Sequence, residues 1–244
     1  MKRVGVIGCG AIGVIIAEAF ERRLLTCDEL VLYDYELERA EKLKSQLHFT
    51  SRVVLSLDEM LRLKPKVIVE AASQQAAREY VPRVAAEGIN VIVMSTGALL
   101  GLNLQSKRVH VPSGAIVGLD ALSAAAMAGV DEVSLTTRKN PKSLDMDNMV
   151  ERVVYEGDAE EAARRFPREM NVAATLALTV KPARVRVRVV SDPLVHRNTH
   201  EISMKWRFGE IFLRFANDPH PENPRTSALA AWSAISLLRK LLEK

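Results

Sequence analysis

A short β-branched run, Arg3–Ile7, leads through Gly8-Cys9-Gly10-Ala11-Ile12-Gly13 into apolar residues at helical spacing: Ile12, Ile15, Ile16, Ala19 and Phe20. A glycine loop set between a strand and a helix leaves few folds open, because each glycine has its own mechanical duty. Gly8 permits a tight turn, Gly10 lets the backbone approach a pyrophosphate, and Gly13 lets the helix pack closely on the strand. Backbone N–H groups around Ala11 and Ile12 then face an anion at the positive end of the helix dipole. The next β-branched run, Glu29–Asp34, ends in a carboxylate about 20 residues beyond the last glycine, where a ribose-binding acid belongs. These features predict a dinucleotide site made of Gly8, Gly10, Ala11, Ile12, Gly13 and Asp34. Asp34 can accept from both ribose hydroxyls and repels a 2′-phosphate, so NAD is the expected cofactor. Arg39, a helical turn or so further on, keeps NADP open; the other reading of Asp34 is a strand-end cap.

The alternation continues with β-branched runs at Arg52–Leu55, Val67–Glu70 and Asn90–Met94, and a helical stripe of Leu37, Ala40, Leu43 and Leu47. Strands alternating with helices predict βαβ units and an α/β, doubly wound parallel sheet covered on both faces. Pro82 predicts a kink or break near Tyr80. After about Val109 the pattern changes. Pro112–Ala115 reads as a turn and Gly118–Ala128 as a small-residue helix. Strands are expected at Val130–Thr137, Pro182–Val190, Glu201–Phe208 and Glu210–Phe215, the last two forming a hairpin at Gly209. Helical segments fall at Asp158–Phe166 and Asn171–Leu178. This is an α+β second domain with a mixed or antiparallel sheet. Asp218–Pro224 reads as a linker and Ser227–Leu242 as a closing helix. The expected division is residues 1–110 with 219–244 for the dinucleotide, and 111–218 for catalysis and dimerisation.

With 244 residues and 48% of them hydrophobic, the chain can bury an ordinary core. Its net charge of +4 is spread over interleaved acids and bases. That suits an anionic cofactor and a small-molecule substrate, and there is neither a recognition motif nor aromatic stacking residues for nucleic acid. No apolar run approaches the roughly 20 residues of a membrane span. Cys9 and Cys27 give neither a metal-ligand spacing nor a disulfide framework. A cytoplasmic protein without a metal is expected.

Four later segments carry a family resemblance. Pro112-Ser113-Gly114-Ala115-Ile116-Val117-Gly118-Leu119-Asp120-Ala121-Leu122 resembles the domain-joining segment of L-aspartate dehydrogenases. Phe166-Pro167 with Asn171-Val172-Ala173-Ala174-Thr175-Leu176 is similar to a second family segment. Asp192-Pro193 with Arg197-Asn198-Thr199-His200-Glu201-Ile202 is similar to a third, the most specific of them. Asn223-Pro224-Arg225-Thr226-Ser227 is similar to a fourth. The resemblance runs through nearly the whole chain in the family's order, and the basic stretch Lys181–Arg188 departs from it. It implies conversion of L-aspartate and NAD(P)+ to iminoaspartate and NAD(P)H. The imine then hydrolyses to oxaloacetate and ammonia or feeds de novo NAD synthesis. The resemblance also implies catalysis by His200 and nicotinamide-end contacts at Ala115 and Asn171. A C-terminal helix completing the cofactor domain and a homodimer contact through the second domain are implied as well.

The residues themselves bear on the chemistry. Oxidising an amine requires its neutral form, so a neighbouring group must take up a proton, and an imidazole titrates in the right range. His200 stands at the expected loop-to-strand junction, two residues after Asn198, whose amide could orient it. His196 is the second choice. Lys205 is a rival base should burial lower its pKa. His48, His110 and His220 lie in connecting segments. Arg184, Arg186 and Arg188 alternate with Val185, Val187 and Val189, which puts guanidinium groups on one sheet face and valines on the other. A solvated face over a buried one is the ordinary meaning, and carboxylate capture is the alternative, for which Arg197 is equally placed. Two other functions fit a protein of this plan. One is a dehydrogenase of a hydroxyl or aldehyde substrate, like homoserine or sugar dehydrogenases. The other is a dinucleotide sensor without turnover.

Overall fold

Valine- and isoleucine-rich runs of three to five residues, too short for helices, become the parallel strands of a first unit. In this computed structural model, residues 1–102, 106–167, 170–220 and 223–243 are described. The unit alternates β1 (Arg3–Ile7), α1 (Ala11–Glu21), β2 (Glu29–Tyr33), α2 (Leu37–Ser45), β3 (Ser51–Val53), α3 (Leu57–Arg62), β4 (Val67–Glu70), α4 (Gln74–Ala86), β5 (Asn90–Val93) and β6 (Val109–His110). Its sheet has the order β3-β2-β1-β4-β5-β6, every neighbour parallel. This is the doubly wound order, and the chain reverses direction across the sheet between β1 and β4. β1, β2, β4 and β5 are buried along nearly their whole lengths, as strands covered on both faces must be.

Pro82 does not break α4, which runs unbroken from Gln74 to Ala86. The proline removes one donor, to the carbonyl of Arg78, and that residue is exposed to water. Ala77, Val81 and Val84 on the other side stay buried and hold the helix to the sheet.

The chain divides into two compact units, Met1–Pro112 with Ala230–Lys244, and Ser113–Leu229. The second contains α5 (Leu119–Ala128), β7 (Val130–Lys139), β8 (Arg152–Asp158), α6 (Ala159–Arg165), α7 (Asn171–Thr179), β9 (Arg186–Ser191), β10 (Asn198–Trp206), β11 (Gly209–Asn217), β12 (Pro219–His220) and β13 (Asn223–Ser227). Its five-stranded sheet, β11-β10-β7-β9-β8, is antiparallel except between β7 and β9. Val133, Leu135, Val187, Val189, Ile202 and Met204 form one buried face against residues of α5, α6 and α7. β8 was not expected, because RVVYEGD buries only Tyr155 and has no clean alternation. β10 starts at Asn198, ahead of the expected Glu201, since Asn198, Thr199 and His200 are buried despite their polarity. The expected linker is instead a ribbon, in which β12 pairs antiparallel with β13. Backbone pairing of this kind needs no apolar pattern, so a proline-rich composition conceals it. The ribbon groups with the second unit, where the expected boundary had put residues 219–229 with the first.

The closing helix, α8 (Ala228–Glu243), returns to the first unit. Ala234, Ile235, Leu238, Leu241 and Leu242 join Val4, Ile16, Phe20 and Leu30 in its core. Lys2 and Lys66 donate from Nζ to the carbonyl of Leu242 at 2.7 and 3.2 Å, which satisfies the helix end and complements its dipole. Among the described residues no helix is long and apolar enough to cross a membrane.

Candidate functional site

The three glycines of the loop differ in what demands them. Gly8 has φ +93°, and a Cβ there would lie 2.6 Å from the carbonyl oxygen of Ala71 at the end of β4. A Cβ on Gly13 would lie 2.1 Å from the carbonyl oxygen of Gly8, so the first turn of α1 packs directly on the loop. A Cβ on Gly10 would meet no protein atom within 4 Å. Protein packing therefore explains Gly8 and Gly13 but leaves Gly10 facing open space, which is what a pyrophosphate approaching the backbone requires. Gly10 is also the N-cap of α1, which has no side-chain cap and no acid in its first turn. Ala11 and Ile12 follow as the first helical residues, and the residues present fit a dinucleotide.

Asp34 follows β2 and reaches back to this loop. Its Oδ2 accepts from the amide of Cys9 at 2.7 Å and its Oδ1 from that of Glu36 at 2.9 Å. Each carboxylate oxygen has two lone pairs, so a capping role and a ribose role are compatible. A cleft of about 230 Å³ opens here, lined among others by Gly8, Gly10, Asp34, Tyr35, Ser73 and Tyr80. Arg39 also lines it and pairs with Glu36 at 2.9 Å, so its charge is already matched. The Cys9 thiol is pushed up to about 12 by burial and by the Asp34 carboxylate, which makes it inert.

Glu70, which the sequence did not single out, ends β4 with no exposure. Its Oε1 accepts from the Ala72 amide and the Ser95 hydroxyl, both at 2.9 Å, and its Oε2 from the Ser95 amide at 3.1 Å. Burial raises its pKa, and these donors oppose the rise. The carboxylate thus ties the ends of β4 and β5 together and fixes Ala72, one wall of the cleft. The available signal was an acid closing the run VIVE in a strand covered on both faces.

The second unit holds the other expected residues. His200 lies within β10, opposite Thr137 of β7, and is 2% exposed. Its Nδ1 is 3.0 Å from Thr137 Oγ1. Asn198, expected to orient it, instead has its amide 3.5 Å from the Ser227 hydroxyl. Burial first, and the positive charge of Lys139 second, lower the His200 pKa to about 3. The imidazole is therefore neutral at ordinary pH. Ala115 is buried ahead of α5, its carbonyl accepting from Asn217 Nδ2 at 3.0 Å. Asn171 opens α7.

The rival groups fare less well. His196 is exposed. Lys205 is exposed, where a rival base would have to be buried, and lies 3.8 Å from Glu210. Arg197 is exposed and pairs with Asp218 at 2.8 Å. Arg184, Arg186 and Arg188 are exposed while Val185, Val187 and Val189 are buried, a solvated face over a core. His110 is 3.0 Å from Asn90 Oδ1, His48 donates its backbone amide to Glu21, and the side chain of His220 lies outside the described residues.

Known proteins give the same pattern at the level of the chain. Residues 120–241 match the family described as "Aspartate dehydrogenase, C-terminal", and residues 8–109 match "Homoserine dehydrogenase, NAD binding domain". The first unit is thus an NAD-binding domain. The L-aspartate dehydrogenase of Methanothermobacter thermautotrophicus is 42% identical, over 100% of this chain and 97% of the relative. That of Archaeoglobus fulgidus is 39% identical over 98% of both. The crystal structure of aspartate dehydrogenase from Thermotoga maritima superposes with a TM-score of 0.76 at 30% identity, covering 99% of this chain and 97% of that one. With such identity along the full length of both partners, the chain belongs to the L-aspartate dehydrogenase family.

Proposed function

We propose that the protein oxidises L-aspartate to iminoaspartate with NAD, and that His200 is the proton acceptor. The observation that carries this reading is the buried, neutral imidazole of His200, held at Nδ1 by Thr137, in a chain with L-aspartate dehydrogenase relatives along its whole length. When the threonine hydroxyl accepts from Nδ1–H, the lone pair is left on Nε2, the tautomer a base requires. An ammonium must lose a proton before its α-carbon can be oxidised, and a neutral imidazole has the vacancy for it. A pKa near 3 makes a weak base in the free protein. The two carboxylates of the substrate bring negative charge, which raises the proton affinity of the imidazole as the substrate arrives.

Gly8, Gly10, Ala11, Ile12, Gly13 and Asp34 would hold the dinucleotide at its pyrophosphate and adenosine ribose, and Ala115 and Asn171 at its nicotinamide end. When bound, NAD supplies the acceptor for the hydrogen and two electrons removed from the α-carbon. The imine product hydrolyses to oxaloacetate and ammonia or supplies de novo NAD biosynthesis. The working form is a cytoplasmic homodimer; both cysteines are free, in keeping with a reducing compartment.

A screen of L-amino acids with NAD, followed at the NADH absorbance, tests the substrate. Turnover with L-aspartate, and ammonia dependence of the reverse reaction with oxaloacetate, are expected. Turnover confined to a hydroxyl or aldehyde substrate overturns the reading, and mass measurement in solution tests the dimer.

A further inference from the structure

Glu36 stands at the N-cap of α2, where asparagine, aspartate, serine or threonine ordinarily satisfies the first amides of a helix. Glu36 does not, for α2 has no side-chain cap. Its side chain runs along the helix instead, and its Oε1 lies 2.9 Å from the guanidinium of Arg39. The two side chains are 58% and 56% exposed, and an ion pair so open to water stabilises a fold little. Neither capping nor stability thus accounts for the pair. Its position does. Glu36 and Arg39 line the same cleft as Asp34, whose Oδ1 accepts from the Glu36 amide at 2.9 Å. Among the described residues lining that cleft, Arg39 is the one cation, against two carboxylates. A 2′-phosphate on the adenosine ribose is what distinguishes NADP from NAD, and a nearby arginine is what accommodates it.

We propose that Glu36 sets the preference for NAD over NADP by holding Arg39, so that Asp34 does not set it alone. The proposal rests on the placement of the adenosine ribose at Asp34 given above. A planar guanidinium matches a phosphate in bidentate fashion, so an Arg39 free to turn to the ribose would favour NADP. With Glu36 beside it, that charge is already matched. A 2′-phosphate must displace a carboxylate, which then remains nearby as a like charge. NAD carries a hydroxyl there and requires no such exchange. Discrimination comes from an obstacle to the wrong ligand, over and above any contact with the right one.

Dissociation constants for NAD and NADP are measured by calorimetry, without substrate, for wild type, Glu36→Gln, Arg39→Met and the double variant. Thermal unfolding checks the fold of each. Glu36→Gln keeps the side-chain length and removes its charge. NADP should bind it about tenfold tighter, the scale of one charge-assisted hydrogen bond, while NAD moves by less than about threefold. The gain should vanish in the double variant. Glu36→Ala repeats the measurement with no side-chain acceptor left for Arg39 and is judged by the same criterion. Unchanged NADP affinity in a folded Glu36→Gln overturns the proposal. A gain that survives in the double variant overturns it too, since the carboxylate would then act by its own repulsion without Arg39. Asp34→Ala separates this assignment from the reading beneath it. If Asp34→Ala weakens NAD while Glu36→Gln binds NADP as wild type does, only the Glu36 assignment fails. If Asp34→Ala binds NAD normally, the ribose placement fails, and the assignment goes with it.

Discussion

The Oδ2 of Asp34 lies 2.7 Å from the backbone amide of Cys9, so the acid that follows β2 is clamped to the loop whose ligand it would share. Removing it should therefore do two things. Asp34→Ala is expected to weaken NAD by about 10- to 100-fold through loss of charge-assisted hydrogen bonds. NADP should be weakened less, because repulsion of its 2′-phosphate disappears with the carboxylate. Dissociation constants for both dinucleotides check this, and equal losses would reduce Asp34 to a loop clamp.

Gly10 and Gly13 should separate cofactor binding from stability. Gly13→Ala sets a methyl group 2.1 Å from a backbone oxygen that cannot swing away. It should destabilise the fold by about 1–3 kcal/mol, as overpacking does. Gly10→Ala meets no protein atom within 4 Å, and its φ of −82° and ψ of −164° suit alanine. Its stability cost should stay within about 1 kcal/mol, that of a weaker N-cap, while NAD affinity falls at least about tenfold, since the methyl group would stand where the pyrophosphate approaches. Thermal unfolding and NAD titration read the two effects separately. A Gly10→Ala protein that binds NAD normally would show that the open space belongs to something else.

Glu70 offers a test of the cleft wall. Its oxygens accept from the amides of Ala72, Ser73 and Ser95 and from the Ser95 hydroxyl. Glu70→Gln must turn an amide N–H toward one of them and should cost about 1–3 kcal/mol. Burial raises the folded pKa of this acid above its ordinary 4.5. Its protonated form is thus favoured in the fold, and its contribution is full at low pH and declines as pH rises through the folded value. The wild-type advantage over Glu70→Gln in urea denaturation should accordingly shrink on going up from about pH 4.5. An advantage that grows instead would mean that the donors outweigh burial.

Features that depend on neighbours in sequence were legible, and those that depend on register were not. The glycine loop, Asp34 and the Arg–Val alternation of β9 are local patterns with one mechanical meaning each. The orientation of His200 is different. Asn198 is the obvious partner at two residues' distance, yet the strand opposite delivers Thr137, 63 positions away in the chain. Lys139 sits in the polar run Thr136–Asn140, which reads as surface until β7 is placed between β9 and β10. Pro82 was misjudged for a related reason. Its cost is local, but the burial of Ala77, Val81 and Val84 that outweighs it comes from the sheet beneath.

His200 itself can be examined without substrate. The imidazole is fully enclosed, with Thr137 at Nδ1 and the Lys139 charge nearby, and its pKa falls from 6.5 to about 3. Between those values the unfolded chain binds the proton and the folded one does not. Stability from this group is therefore complete above 6.5 and is lost as pH falls toward 3, at about 1.4 kcal/mol per pH unit. A His200→Gln variant has no imidazole to protonate, so its stability should fall less steeply across that window. Superimposable curves would mean that the ring is not kept neutral by the fold. The same substitution, or His200→Ala, should lower turnover by about 10² or more while NAD affinity holds, since the glycine loop and Asp34 are untouched. Loss of NAD affinity in step with turnover would instead make His200 a cofactor contact and leave the proton acceptor to be found elsewhere.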